Sequence, residues 1–405
     1  MSFIKFSRFD PLESAFFRMA KWTLVFLGIW PLDLLNRLTI FKIIFNSSAL
    51  LTAIIGEIRF AWFIRSEPLE ALDAACPSLT KMVTMIKLSC FLIYRNQLAT
   101  LLNELYEHLY ADTKNEKKNL LIGKISFFTS VWCLMLFLLS LSTSFLYTVQ
   151  PIIVWIYQRF TGTKGNWVTL PFQAALPYQD MTKLNNRFVY SLVYCFLAHS
   201  GNVTVFGISG ADGIFMCFCM YISVSYECLQ NDFKTAFNTY CSKNSEPESN
   251  GDDELLYNEL SFLVKRQQKI IEMFEHFNQT YKLIIFGHFL FASIELGIVL
   301  VNIVLSTGIT KMIFLTYVLG SCCQLYTYCY GAENVNQNCV KLSETLYFCE
   351  WYQCNTKIKR LVLMVLMKSQ KGSLLDAPFF TPSLPLFASI IQTSGSYFTI
   401  LLAFM

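Results

Sequence analysis

Seven stretches of this chain are apolar enough to enter a bilayer, and that count limits the folds open to it more than any other feature. They fall at about 38–64, 79–94, 127–149, 187–226, 282–305, 312–330 and 382–405. A helix needs about 20 apolar residues to cross the hydrocarbon core of a membrane. The third stretch is the cleanest. The second is only moderately apolar, because Lys81 and Lys87 fall within it. The fourth is longer than a bilayer requires and is expected to project beyond it. Composition agrees: 15% of residues are charged, against about 25% in soluble domains. The expected fold class is an all-α membrane protein with seven transmembrane helices.

The segments between the spans carry their own signals. Residues 1–37 show no cleavable signal; the apolar piece 22–30 is too short to span and meets Pro31, which suits a helix lying on the membrane surface. Residues 95–124 are polar with a helical apolar period and a lysine-rich end. The loop 150–186 holds Trp167 and the phrases Leu170-Pro171-Phe172 and Leu176-Pro177-Tyr178, a composition that favours an ordered lid over a loose linker. Residues 242–254 are rich in Ser, Asn, Asp and Glu and are expected to be disordered. The stretch 255–281 reads as a long helix running into the fifth span. Residues 331–378 read as two amphipathic helices. The expected division is therefore an N-terminal cytoplasmic or interfacial segment 1–37, spans one to four at 38–226 with the lid 150–186, and a cytoplasmic loop and helix at 227–281. Spans five and six follow at 282–330, cytoplasmic helices at 331–378 and span seven at 379–405.

Positive charge sets the direction of insertion. The segments that share the N-terminus's side carry 22 Lys and Arg, and the opposite loops carry five, namely Arg65, Arg159, Lys164, Lys183 and Lys311. This places the N-terminus in the cytoplasm and the C-terminus outside, the reverse of a G-protein-coupled receptor.

Catalytic signals are absent. The four His residues are scattered, and no Ser-His-Asp set, phosphate-binding glycine loop or HExxH occurs. The 14 Cys form no CxxC pair and no metal spacing, and most sit in apolar runs, where Cys packs as a small hydrophobe. The net charge of +4 comes without a basic cluster, so nucleic acid is not an expected partner. No metal, cofactor or enzyme activity is expected. Glu57, Asp212 and Glu295 fall within or near spans, where an acidic side chain is a functional candidate by default; they read as isolated rather than convergent. The sequons at Asn46, Asn202 and Asn278 are expected to be unused, the first two because they lie in spans and the third because it is cytoplasmic.

The last stretch, Thr-Ser-Gly-Ser-Tyr-Phe-Thr-Ile-Leu-Leu-Ala-Phe-Met from Thr393 to Met405, resembles the C-terminal signature of insect odorant receptors. The resemblance extends to the seven spans with the N-terminus inside, the Pro-aromatic second outer loop, and Leu346-Tyr347 with Trp351-Tyr352, Arg360 and Leu361-Val362-Leu363-Met364 before span seven. It implies an odorant-gated, non-selective cation channel in the plasma membrane of olfactory neuron dendrites. Four subunits would meet through the cytoplasmic helices, with Tyr347, Trp351 and Leu361 at the contact and a shared co-receptor as the partner. Span seven would line the pore, with Tyr397, Ile400 and Phe404 at the gate. The ligand, a small volatile, would sit among the outer halves of spans two, three, four and six, where Met85, Ser142, Leu146, Tyr194, Phe314 and Tyr317 are the candidates. Related gustatory receptors and the co-receptor resemble a Thr-Tyr ending with a Gln; here Ser396 and Ala403 stand in those places, so the chain is similar to a tuning subunit. The alternatives are a gustatory-type channel, or a seven-helix receptor or transporter of another class. A transporter would need convergent polar residues at mid-bilayer.

Overall fold

The computed structural model describes residues 17–66, 68–112, 116–161, 170–175, 187–243 and 250–403. Among them are ten α-helices: α1 (Arg18–Leu27), α2 (Arg37–Phe63), α3 (Pro68–Ile93), α4 (Arg95–Asp112), α5 (Glu116–Thr161), α6 (Arg187–Lys243), α7 (Asn250–Leu305), α8 (Gly308–Tyr347), α9 (Thr356–Gln370) and α10 (Leu384–Ala403). Six of the described helices, α2, α3 and α5 to α8, are long and apolar enough to cross a membrane. The 20-residue α10 supplies the seventh crossing.

The centre of the bundle is α6. Every residue from 207 to 226 is buried, and the helix packs against α1, α2, α3, α5, α7 and α8. A helix apolar on all sides belongs in the middle of a large bundle. Small residues let its neighbours approach: a Cβ on Gly210 would meet the Leu24 side chain of α1 at 2.6 Å. The outer helices show the opposite pattern. Leu38, Phe41, Ile44, Ile55, Ile58 and Trp62 of α2 are exposed apolar side chains, as a lipid-facing stripe requires. The Arg65 guanidinium lies 5.0 Å from the Trp62 ring and that of Arg159 lies 5.5 Å from Trp155, an aromatic and basic rim suited to a membrane interface.

Three expectations are revised. The N-terminal helix does not lie on a surface: Ala20, Leu24, Leu27 and Trp30 are buried, and Phe17 packs edge-on to Phe218 of α6 at 5.9 Å. A face of Leu and Ala with glycines opposite it favours insertion into the bundle over lying flat. α6 and α7 continue past the bilayer length, as expected of the fourth span and of 255–281, and α8 does so as well. The amphipathic stretch after span six is accordingly not two separate helices. Its first part is the end of α8, and α9 follows a single 3-10 turn at Trp351–Gln353. The Asn355 side chain accepts from Ile358 N at 2.9 Å and caps α9. The stretch 242–254, expected to be disordered, is helical at both ends: residues 242–243 close α6 and residues 250–254 open α7, while residues 244–249 lie outside the described residues.

The long extensions of α6, α7 and α8 pack with α4 and α9 into a second layer at one end of the bundle. Asp232 of α6 is bound there by Lys118 at 2.5 Å and Arg266 at 2.8 Å. Burial, then the positive charges of Arg266, Lys269 and Lys118, pull His108 of α4 down to about 4. Its neutral ring pairs with the Tyr221 hydroxyl at 3.1 Å.

Candidate functional site

The functional geometry starts on α3. Pro77, Thr80, Thr84 and Lys87 recur at helical spacing, so they share one face with Lys81 beside it. That face points into the bundle, where Lys81 and Lys87 are fully buried. Each lysine has an acid from another helix. Lys81 is bonded to Glu57 of α2, and Lys87 to Asp212 of α6 at 2.6 Å. The Tyr328 hydroxyl of α8 donates to the same Asp212 oxygen at 2.6 Å. Glu295 of α7 accepts from Thr80 at 2.6 Å, and Thr80 also pairs with the Tyr317 hydroxyl of α8. Tyr317 donates in turn to the Cys76 carbonyl at 3.0 Å. The acids are therefore convergent, contrary to the reading of the sequence. The partners lie on different spans, far apart in the chain, so linear spacing could not reveal them.

Beside this network lies a cavity. Its walls come from α3, α5, α6, α7 and α8. The apolar side is made by Pro77, Tyr147, Val205, Ile208 and Phe172, and the polar side by Glu295, Ser321 and Gln324. Glu295 is ten residues from the end of α7, which puts it about 15 Å inside that end at 1.5 Å per residue. The mixed lining, apolar with a few convergent polar groups, is that of a small-molecule pocket.

The stretch 150–186 is not a single loop, because residues 150–161 are the last turns of α5. Its residues 170–175 run along one side of the cavity and are tied down where Ala175 N donates to the Gly56 carbonyl of α2 at 2.8 Å. Phe172 is buried, stacks on Tyr147 at 5.2 Å and lies 3.9 Å from the Lys81 ammonium. A Cβ on Gly201 would come within 3.0 Å of the Phe172 ring and 2.9 Å of Ser144 Oγ, so α6 carries glycine where the lid seats. Beyond the Tyr147–Phe172 stack is a second, outer hollow lined by Asp73, Gln150 and Gln173. It shares Pro77, Tyr147 and Phe172 with the deep cavity. The stacked pair is thus the partition between the two.

The structure places the sequence candidates unevenly. Tyr317 lines the cavity. Phe314 is buried beside it and Leu146 packs against the same apolar cluster. Met85 is half-buried against the main core. The Ser142 hydroxyl turns back to the Leu139 carbonyl at 2.8 Å, while its neighbours Ser140, Thr143 and Ser144 line the cavity. Tyr194 donates to the Thr148 carbonyl and lines a surface hollow with Tyr190. Thr80, Lys81, Tyr147, Phe172 and Glu295 were not expected on the wall. The helical face through Pro77, Thr80 and Thr84 was the available signal.

Two further sets belong to other parts of the molecule. Tyr397 and Ile400 lie on the helical backbone of α10, and Phe404 lies outside the described residues. Leu361 is half-buried, as is Trp351 in the 3-10 turn, while Tyr347 is 66% exposed at the end of α8. No group of three or more His, Cys, Asp and Glu among the described residues could hold a metal ion.

A bundle of membrane-spanning helices around a lidded internal pocket defines a multi-pass membrane protein of the receptor kind. The family model described as 7tm Odorant receptor matches residues 67–395, and the chain belongs to that family. Among its relatives in Drosophila melanogaster, Odorant receptor 22c is 28% identical, with 96% of this chain and 97% of that protein covered. Odorant receptor 10a is 27% identical, with 98% of each covered. The Odorant receptor coreceptor of Aedes aegypti is 26% identical over 35% of this chain and 30% of its own length. The fold is similar to that of the insect olfactory receptor OR5 from Machilis hrabei in complex with eugenol, with a TM-score of 0.78, 15% identity, and 98% of this chain and 100% of that one covered.

Proposed function

We propose that this chain is the odorant-binding subunit of a heteromeric, ligand-gated, non-selective cation channel. The N-terminus is cytoplasmic, the C-terminus is outside, and the partner is the odorant co-receptor. The observation that carries the reading is the lidded cavity between α3, α5, α6, α7 and α8, at the end of the bundle away from the basic layer. Its lining suits a small volatile, and the Machilis protein of the same fold was solved with eugenol. The similarity to co-receptors supports the partnership, and the preponderance of basic residues on the α4 and α9 side supports the orientation. On this reading residues 227–281 and 331–378 are cytoplasmic, and the site of action is the plasma membrane of an olfactory neuron dendrite.

The pore reading rests on α10. It packs against α7 and α8 on one side. On the other, Ser389, Gln392, Thr393, Ser396 and Thr399 are exposed. An apolar helix with a hydroxyl and amide stripe turned away from its own bundle suits a water-filled axis between subunits. Gln392 restores polarity that Ala403 lacks. By register Ile400 continues the stripe seven residues beyond Thr393. The deciding experiment is expression with and without an insect co-receptor, with odorant-evoked current recorded; current only from the pair is expected, and G-protein signalling from this chain alone would overturn the reading.

Two predictions follow from the layer at the basic end. Around Trp351 stand exposed apolar side chains, Tyr347, Phe348, Tyr352, Met364 and Met367, a patch of the kind that marks a protein contact. Trp351→Ala is expected to abolish co-purification with the co-receptor while the spans still insert, because losing a large buried aromatic costs about 3–5 kcal/mol. Normal co-purification would move the interface elsewhere. Asn278, whose side-chain oxygen accepts from Asp376 N at 3.0 Å, is expected to carry no glycan. A glycosidase-sensitive mass shift lost in Asn278→Gln would reverse the orientation.

A further inference from the structure

We propose that Glu295 and Tyr147 make this cavity selective for volatile alcohols, the ligand hydroxyl donating to the Glu295 carboxyl and accepting from the Tyr147 hydroxyl. This rests on the cavity being the odorant site.

Part of the polar wall is already engaged. Thr143 donates to the Leu139 carbonyl at 3.0 Å and Thr204 to the Ser200 carbonyl at 2.9 Å. Lys81 is engaged by Glu57. Ser140, Ser144, Ser321 and Gln324 line the cavity too, with capacity to donate or accept; two groups stand apart from them, an acid and a buried phenol. Glu295 is 5% exposed and is bonded by the Thr80 hydroxyl at 2.6 Å and by the Tyr317 hydroxyl. A carboxyl group can accept about four hydrogen bonds. The two buried ammonium groups that could neutralise it, Lys81 and Lys87, are bound to Glu57 and Asp212. The second group is Tyr147, whose buried hydroxyl has no hydrogen-bond partner among the described residues. Its ring is fixed between Phe172, stacked at 5.2 Å, and Tyr317, edge-on at 6.4 Å, so it cannot swing away to find one. Tyr317 joins the two, because its hydroxyl pairs with the Thr80 that holds Glu295.

The functional groups of small volatiles meet this pair differently. A ketone, ester or ether oxygen accepts from Tyr147 and leaves Glu295 facing carbon. A hydrocarbon leaves both unmet. An ammonium donates to both and leaves the Tyr147 proton unplaced. A hydroxyl donates once and accepts, which meets both the acid and the buried phenol. The aromatic walls Tyr147, Phe172 and Tyr317 then enclose the apolar body of the ligand. A buried polar group left unpaired by the wrong ligand is the strongest source of discrimination such a pocket has.

The test uses the full chain with the co-receptor at the cell surface. The probes are benzyl alcohol, 2-phenylethanol and 1-hexanol, each beside its methyl ether, with 2-phenylethylamine and ethylbenzene added. The wild-type chain is expected to respond to each alcohol at concentrations lower than its ether by about tenfold or more. In Glu295→Met, where Thr80 can still donate to the Cys76 carbonyl at 3.1 Å, the alcohol-to-ether ratio is expected to fall close to one. Tyr147→Phe, which keeps the ring stack, is expected to lower it by a smaller factor. Ratios near one in the wild-type chain, ratios unchanged in both variants, or a best response to the amine would each overturn the proposal. Silence to every probe with protein at the surface would instead strike the odorant-channel reading on which it depends.

Discussion

Lys87→Met is expected to remove most of the protein from the cell surface, and Lys87→Met combined with Asp212→Leu to restore much of it. The Lys87–Asp212 pair is 2.6 Å long with both side chains fully buried. Two charges taken from water lose several kcal/mol of solvation each, and their mutual attraction roughly offsets that cost. Removing one partner leaves the other charge buried alone, which costs about 3–5 kcal/mol. Against a total stability of about 5–15 kcal/mol, that fraction is enough to send the chain to degradation. The cost is sharpened by the surroundings. Asp212 already has one oxygen without a partner among the described residues, and both nitrogens of the neighbouring His288 are in the same condition. The His288 ring packs on Tyr328 at 4.7 Å instead. His288 does not bond the open oxygen, so with Lys87 gone the Tyr328 hydroxyl is the one contact left on Asp212 among the described residues. The measurement is surface biotinylation of the single and double variants. Normal surface levels for Lys87→Met would show that the pair does not hold α3 to α6. A double variant that reaches the surface but does not open would assign the pair to gating rather than to folding.

That network also marks the limit of what the sequence made legible. Apolar length identified the crossings because a bilayer imposes it, and the lid was legible because Pro171 and Phe172 are unusual in a loose loop. The family was legible from the ending of the chain and from the stretch around Trp351. What was not legible is which residues meet. Glu57 and Lys81 are 24 positions apart, and Thr80 and Glu295 are 215 apart; only the packing of α2, α3 and α7 brings them together. The ligand candidates on α5 show the same limit at smaller scale. Ser142 and Ser144 differ by two residues, about 200° around a helix, so an uncertainty of one or two positions in register exchanges wall for neighbour. Glu295 was singled out because it is an acid in a span, but its role needed the cavity to be seen. The N-terminal helix was misplaced because its face of Ala20, Leu24 and Leu27 finds its complement in the glycines of α6, a match that is invisible in either segment alone.

Ile400→Ser and Phe404→Ser are expected to raise the current without odorant by about tenfold or more. The reasoning begins with the exposed stripe of α10. Ser389, Gln392, Thr393 and Ser396 turn away from α7 and α8, and a helix repeats its face every three to four residues. In the sequence Ile400 falls four residues beyond Ser396 and Phe404 four beyond that, a spacing that continues the period. The proposed axis is therefore polar up to Ser396 and apolar beyond it, toward the proposed outer end. An apolar ring at the end of a polar pore stops ions by losing its water rather than by charge. Ligand in the cavity would act on it through α7 and α8, since Glu295 and Tyr317 on the cavity wall belong to the two helices against which α10 packs. A serine at either position gives water a hydrogen-bonding surface across the ring. A drop of about 1.4 kcal/mol in the barrier is enough for a tenfold rise in resting current. Leu402 provides the control: it is about 160° from Phe404 around the helix, so Leu402→Ser is expected to lower surface expression and leave resting current per channel unchanged. Whole-cell recording at matched surface expression decides the matter. If Ile400→Ser and Phe404→Ser leave both resting current and cation permeability as they were, the barrier to ions lies elsewhere on α10, and the polar stripe lines a passage closed by another element.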